Sequence, residues 1–323
     1  MKDLFFEYYK PTTAFINKIW KDPIYVFDTN VLLDAFRSSE DGYKDLIKTF
    51  RILKKNIWIP YQIAKEYHQN LNKTIEEQYK KYDKPLDLLT KFEESVSKRR
   101  EHPFIEYKNE VEILRNRLTE GKERLKKLIS NNTKANEIAD IFKDNIGAEP
   151  SEKRLNELYK EGEKRYKDNI PPGFEDNDKS NKNKYGDFII WEDLIKKSQE
   201  DKRHIIFVTN DIKCDWFVSY ISDSKIPHPI LKKEFHERTT MEIYMYTLDD
   251  FLKEINQRKN GSVKEDTISE IENRREDYIN IVNKIQGNDL DLINKINKKI
   301  MTLKGLEKLV NIQNKTLKIK GLS

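Results

Sequence analysis

Short apolar runs alternate with helix-patterned stretches along this chain, and that alternation restricts it to an α/β class with a mainly parallel sheet. The runs are Ile24–Phe27, Ile57–Ile59 stopped by Pro60, His204–Val208 and Met241–Leu248. Between them, apolar residues recur at helical spacing: Val31, Leu32, Leu33 and Phe36; Tyr43–Lys55; Ile63, Tyr67 and Leu71 after the Pro60 turn; then Asp187–Gln199 and Asp249–Gln257. Residues 1–20 read as a helical lead-in ending near Trp20.

The pattern breaks in two places. From about residue 72 to 167 the chain is dense in Lys and Glu with spaced apolar residues, which predicts an insertion of long antiparallel helices. Breaks are expected near His102-Pro103 and again near Asn145–Pro150. The second change comes at Gly261-Ser262, where a charged helical C-terminal extension, 258–323, follows a main domain spanning 1–257. The chain of 323 residues carries 61 Lys and Arg against 56 Asp and Glu, but the excess is local. Between Leu292 and Ser323 eight lysines face Glu307 alone, so the rest is slightly acidic and any attraction to polyanions is confined to patches. The tail reads as a helix docked on its own domain or on a partner, with a solvated basic face, in preference to a nucleic-acid arm. No apolar run approaches the ~18 residues of a membrane span. The opening MKDLFFEYYKP lacks the apolar core of a signal peptide, so a cytoplasmic location is expected. One cysteine, Cys214, rules out a disulfide framework and a cysteine-rich zinc site.

In open α/β sheets the functional crevice lies beyond the carboxyl ends of the strands. Asp28 directly follows one run and Asp211 closes another. Glu66 sits early in the helix after Pro60, and Asp187 opens a helix whose apolar face, Ile190, Trp191 and Leu194, should press on the sheet. Taken singly, Asp187 is a helix cap and Glu66 a solvated helix residue. Gathered at one rim, four carboxylates would raise one another's pKa values unless a cation neutralised them, and oxygen-only ligands suit Mg²⁺ or Mn²⁺.

The segments YVFDTNVLLDAF, WIPYQIAKEYHQN, YGDFIIWEDLI and IIFVTNDIKCDW together resemble the PIN-domain nucleases. More narrowly, PPGFEDNDK (Pro171–Lys179) and HPILKKEF are similar to the bacterial PIN-like group with a long helical insertion. The resemblance covers about Trp20 to Leu252 and leaves out the tail. It implies a three-layer α/β fold around a central mainly parallel sheet, with a helical-hairpin insertion. It also implies metal-dependent phosphodiester hydrolysis, with Asp28, Glu66, Asp187 and Asp211 as the catalytic and metal-holding acids. By the same resemblance Thr29 and Asn30 orient Asp28 or touch substrate, Asp215 is an outer partner at the substrate site, and Lys179 and Lys213 hold phosphate oxygens. Glu192 and Asp193, further along the third segment, read as a solvated helix face. RNA is the expected substrate ahead of DNA, in single-stranded or loop regions, and a growth-arresting toxin or phage-defence effector is the expected setting.

Two further readings stand beside this one. A catalytically silent PIN-fold scaffold would bind nucleic acid or a protein through the insertion and tail. A regulatory partner or a second copy of the chain would engage the same helices. The insertion itself reads equally as a lid, a partner surface, a wall guiding single strands, or a hairpin that stiffens the fold. A phosphatase of the haloacid dehalogenase type is the nearest rival enzyme and is disfavoured, because Asn30 replaces the second acid of its opening motif and Thr209 follows Asp187, the reverse of that family's order.

Overall fold

The structure is a computed structural model that describes residues 1, 4–97, 108–177, 182–219, 225–258 and 263–277. After a lead-in helix, α1 (Thr13–Trp20), the chain forms β1 (Ile24–Phe27), α2 (Thr29–Arg37), α3 (Glu40–Leu53) and α4 (Tyr61–Lys80). The insertion supplies α5 (Asp83–Ser97), α6 (Lys108–Asn131), α7 (Thr133–Phe142) and α8 (Glu152–Lys167). Then come α9 (Gly186–Asp201), β2 (Ile205–Val208), β3 (Phe217–Ser219), β4 (Lys225–Pro227), α10 (Pro229–Thr239), β5 (Ile243–Tyr246) and α11 (Leu248–Arg258). No described helix is long and apolar enough to cross a membrane.

The central sheet has three parallel strands in the order β1-β2-β5, with Phe27 beside Val208 and Val208 beside Tyr246. Side chains alternate across a sheet, so residues in one register row share a face. On one face Tyr25, Phe27 and Tyr246 meet Trp20 of α1 and Phe251 of α11, and Phe27 packs edge-on against Phe50 of α3 at 4.8 Å. On the other, Phe207 meets Trp216, which contacts Trp191 of α9, itself against Phe235 of α10. Burial on both faces explains why IYVF and IIFV are unbroken apolar runs rather than alternating ones.

Residues 57–59 do not form the strand that their apolar character predicts. Trp58 N donates to Tyr25 O, but Ile59 pairs instead with residues 145–147, through Ile59 N to Asn145 O and Gly147 N to Ile59 O. The segment is thus shared between β1 and the insertion's second break, and Pro60 stops it from extending further. The short antiparallel β3–β4 pair and the helix α10 are further elements, with no counterpart among the runs and helical stretches expected from sequence.

In the insertion, Arg115–Glu93 and Lys122–Asp83 ion pairs run in opposite sense along α5 and α6, which makes those helices antiparallel. The expected break at His102-Pro103 lies outside the described residues. The insertion is no appendage. Ile138, Ile141 and Phe142 of α7 and Leu158 and Tyr166 of α8 are buried in the main core. The α8 helix is clamped by Glu234 of α10, which accepts from Arg165 Nη1 (2.7 Å) and Nη2 (2.8 Å) and from Trp191 Nε1 (3.1 Å). Burial alone would raise the Glu234 pKa, but Arg165, Trp191 and Arg238 bring it below the usual value of 4.5. Its contribution is therefore complete above that value and fades as the pH falls through the depressed pKa. Glu234→Ala is expected to cost about 2 kcal/mol, read as a lower urea midpoint at neutral pH.

One compact unit runs from Met1 to Ile271. Val263, Ile268 and Ile271 are buried in the core, and Asp45 of α3 accepts from Lys264 N (3.0 Å) and Thr267 Oγ1 (2.8 Å). Of the second unit, Glu272–Ser323, residues 272–277 are described and helical. The basic tail from Leu292 lies outside the described residues.

Candidate active site

A cleft of ≈ 430 Å³ opens beyond the carboxyl ends of β1 and β2, and Asp28, Glu66, Asp187 and Asp211 all line it. Asp28 continues β1 by one residue, its N–H donating to Val208 O at 2.9 Å, and then caps α2, with Oδ1 accepting from Thr29 N at 2.7 Å. Its other oxygen accepts from Asn30 Nδ2 (2.5 Å) and from the buried Thr209 Oγ1 (2.6 Å). Asn30 Oδ1 in turn accepts from Asn210 N at 2.9 Å. The polar residues after β1 and β2 therefore lock each other, and Asp28 is fixed by both strand ends.

Glu66 is positioned by α4, which packs closely on α2. Its carboxylate accepts from Gln62 Nε2 (2.6 Å) and from Thr29 Oγ1 (3.1 Å). Thr29 thus serves two acids, its N–H on Asp28 and its hydroxyl on Glu66. The first residue of α9 is glycine for a local reason: a Cβ on Gly186 would stand 2.6 Å from Glu66 Oε1. Asp187 follows in the first turn of α9 and accepts from Trp216 Nε1 at 3.3 Å. Trp216 is only 2% exposed, so it orients Asp187 and offers no face for stacking a base.

Asp211 is held by the turn after β2: its N–H donates to Thr209 Oγ1 (3.0 Å) and its Oδ1 accepts from Lys213 N (3.1 Å). The Lys213 ammonium bridges Asp211 Oδ2 (3.1 Å) and Asp176 Oδ1 (3.0 Å). Asp176, at the end of the short turn Phe174–Asp176, is a cleft acid that the sequence reading passes over although it lies within PPGFEDNDK.

Other expected site residues fall elsewhere. Asp215 is completely buried and does not face the cleft. It accepts from Gly173 N at 2.8 Å and so pins the loop that carries Asp176. Gly173 is required there because its φ of +94° and the Tyr166 hydroxyl leave no room for a side chain. Glu192 is not solvated: it is 5% exposed and pairs with Arg154 and Arg238 away from the cleft. Lys179 lies outside the described residues. No described histidine lines the cleft.

Burial pushes the Asp28 carboxyl up to about 7, with Glu66 and Asp211 adding to the rise against the Thr209 and Thr29 hydrogen bonds. Asp187 is raised well above its ordinary value by burial, then by Asp211, Asp28 and Asp176. Burial disfavours the Lys213 ammonium, but Asp211, Asp187 and Asp176 overcome this and push its pKa up. The cleft is short of positive charge. Its donors are carboxylate oxygens, the set preferred by a hard divalent cation, so their chemistry fits Mg²⁺ or Mn²⁺. Among the described residues no group of three or more His, Cys, Asp or Glu side chains is arranged to hold a metal ion.

A family model described as a PIN-like domain matches residues 24–231, which is more than half of the chain. No curated protein and no solved structure gives a significant match. PIN domains are generally nucleases; they bind nucleic acid and typically use divalent metals. The matched span holds β1, β2 and all four acids of the cleft, and with the parallel sheet around them the chain belongs to the PIN-like domain family.

Proposed function

We propose that this protein is a divalent-metal-dependent endonuclease that hydrolyses phosphodiester bonds in RNA, with Asp28, Asp187, Asp211 and Glu66 holding Mg²⁺ or Mn²⁺. The supporting observation is that four acids from separate parts of the chain line one cleft, two of them raised in pKa by burial and by neighbouring acids. A bound divalent cation supplies charge neutralisation at the phosphate and lowers the pKa of the attacking water. The chain's own residues do the positioning. Asn30 and Thr209 fix Asp28, Thr29 and Gln62 fix Glu66, and Trp216 fixes Asp187. Lys213 presents an ammonium to a scissile phosphate oxygen from the acid cluster itself. A single strand is the expected substrate, because an unpaired strand exposes its bases and 2′-OH groups to the cleft.

Labelled single- and double-stranded RNA and DNA, incubated with Mg²⁺, Mn²⁺ or EDTA, test this directly. Single-stranded RNA should be cut with either metal and left intact with EDTA. Nucleic acid intact under every condition would overturn the proposal. Gly186→Ala should slow cleavage by about ten- to a hundredfold, because the new methyl displaces the Glu66 carboxylate. Its urea midpoint should barely move, since the obstructed group is the tip of a flexible side chain.

One observation favours the silent scaffold instead: Lys213 already pairs with the acids, and no ready-made cation cage is present among the described residues. That reading requires RNA to be bound but never cut, with an affinity indifferent to EDTA.

A further inference from the structure

The acids occupy only one end of the cleft. Along α4, Gln62, Glu66, Gln69, Asn70, Lys73 and Glu77 all line it, and their spacing of three and four keeps them on one helix face. Beside them α2, which packs on α4, contributes Arg37, two turns beyond Asn30. Gln69 and Lys73 are exposed, and neither makes a hydrogen bond or ion pair with another described residue. Arg37 uses Nη1 on Asp34 Oδ1 at 3.1 Å and on Asn30 O at 3.5 Å, and its Nε and Nη2 make no hydrogen bond to another described residue. Two cations and an amide thus flank the acids on a wall where nothing in the fold uses the charge of Lys73.

We propose that this wall is a backbone-binding subsite for a single nucleic-acid strand. Arg37 and Lys73 take phosphate oxygens of nucleotides on one side of the scissile bond, and Gln69 reaches the sugar between them. The proposal rests on the nuclease reading and deepens it by giving the substrate a minimum length. At about 1.5 Å per residue, Lys73 lies about 10 Å along α4 from Glu66. With about 3.4 Å per stacked nucleotide, that is about three nucleotides from the acids. Glu77, one turn further on, ends the subsite by repelling the next phosphate. Contacts of this kind read charge and not base identity, so the subsite governs affinity and length and leaves sequence preference alone.

Lys73→Ala, Lys73→Arg and Lys65→Ala test it, Lys65 being an exposed lysine on the same helix that does not line the cleft. With a long single-stranded RNA, Lys73→Ala should raise KM about fivefold and leave kcat unchanged, while Lys73→Arg stays near wild type. The slope of log affinity against log salt should become shallower by about 0.7 for Lys73→Ala. With a dinucleotide substrate the penalty should vanish, since nothing reaches Lys73. Lys73→Ala behaving like Lys65→Ala in both KM and salt slope would overturn the subsite while leaving wild-type cleavage intact. Absence of wild-type cleavage defeats the nuclease reading instead. Anisotropy of labelled RNA in EDTA, on the same three variants, then decides the subsite alone: an unchanged salt slope in Lys73→Ala refutes it.

Discussion

Replacing Asp28 or Asp211 with alanine should abolish cleavage of single-stranded RNA, with kcat lowered at least about a thousandfold in single-turnover assays. The two substitutions reach that result with different side effects. Asp28 is the N-cap of α2 and accepts from Thr29, Asn30 and Thr209, so its removal also costs about 1 kcal/mol of stability. Asp211 is about one-fifth exposed and contacts chiefly Lys213 and the backbone of its own turn, so its loss should leave the melting midpoint nearly unmoved. A variant that stays folded and loses cleavage assigns the defect to chemistry. If both variants cut RNA at the wild-type rate, the assignment of these acids fails.

Asp187→Asn should raise stability while destroying activity, the reverse of the usual cost of an active-site substitution. Asp187 is held in its partly buried place by Trp216 Nε1, an interaction that the amide oxygen of Asn can still accept. The substitution removes a carboxylate disfavoured first by burial and then by Asp211, Asp28 and Asp176. With EDTA present and near neutral pH, the gain expected is about 1–2 kcal/mol, seen as a higher urea midpoint. A less stable Asp187→Asn would mean that the acids are not in conflict without a cation. The electrostatic basis for metal binding would then be lost.

The parts of the fold that were readable from sequence are those where local pattern and burial agree. The runs IYVF and IIFV are apolar throughout because helices cover both faces of the sheet. Residues 57–59 have the same apolar character, but their backbone partners are divided between β1 and residues 145–147, which no local pattern reveals. The β3 and β4 strands are three residues each, too short to show alternation. Val263, Ile268 and Ile271 lie within a polar sequence that gives no local sign of their burial in the core.

The site divides in the same way. Asp28 and Asp211 follow strands directly, so the rule of carboxyl ends finds them, and the Pro60 turn and the start of α9 direct Glu66 and Asp187 toward the same rim. Asp176 and Arg37 had no such marker. Asp176 matters through Lys213, far from it in sequence, and Arg37 through the packing of α2 on α4. Asp215, four residues after Asp211, is buried by the turn and accepts from Gly173 N, a contact distant in sequence that no local pattern marks.

The central claim is that the cleft carboxylates hold a divalent cation, and calorimetric titration of the intact protein with Mn²⁺ tests it most directly. The wild type should bind Mn²⁺ saturably, and at a hundredfold excess over Kd the cation should add about 2.7 kcal/mol of stability. Asp28→Asn and Asp211→Asn should weaken that binding sharply, while Asp193→Asn, outside the cleft, should bind as the wild type does. No saturable binding by the wild type, or equal binding by all four proteins, would contradict the account.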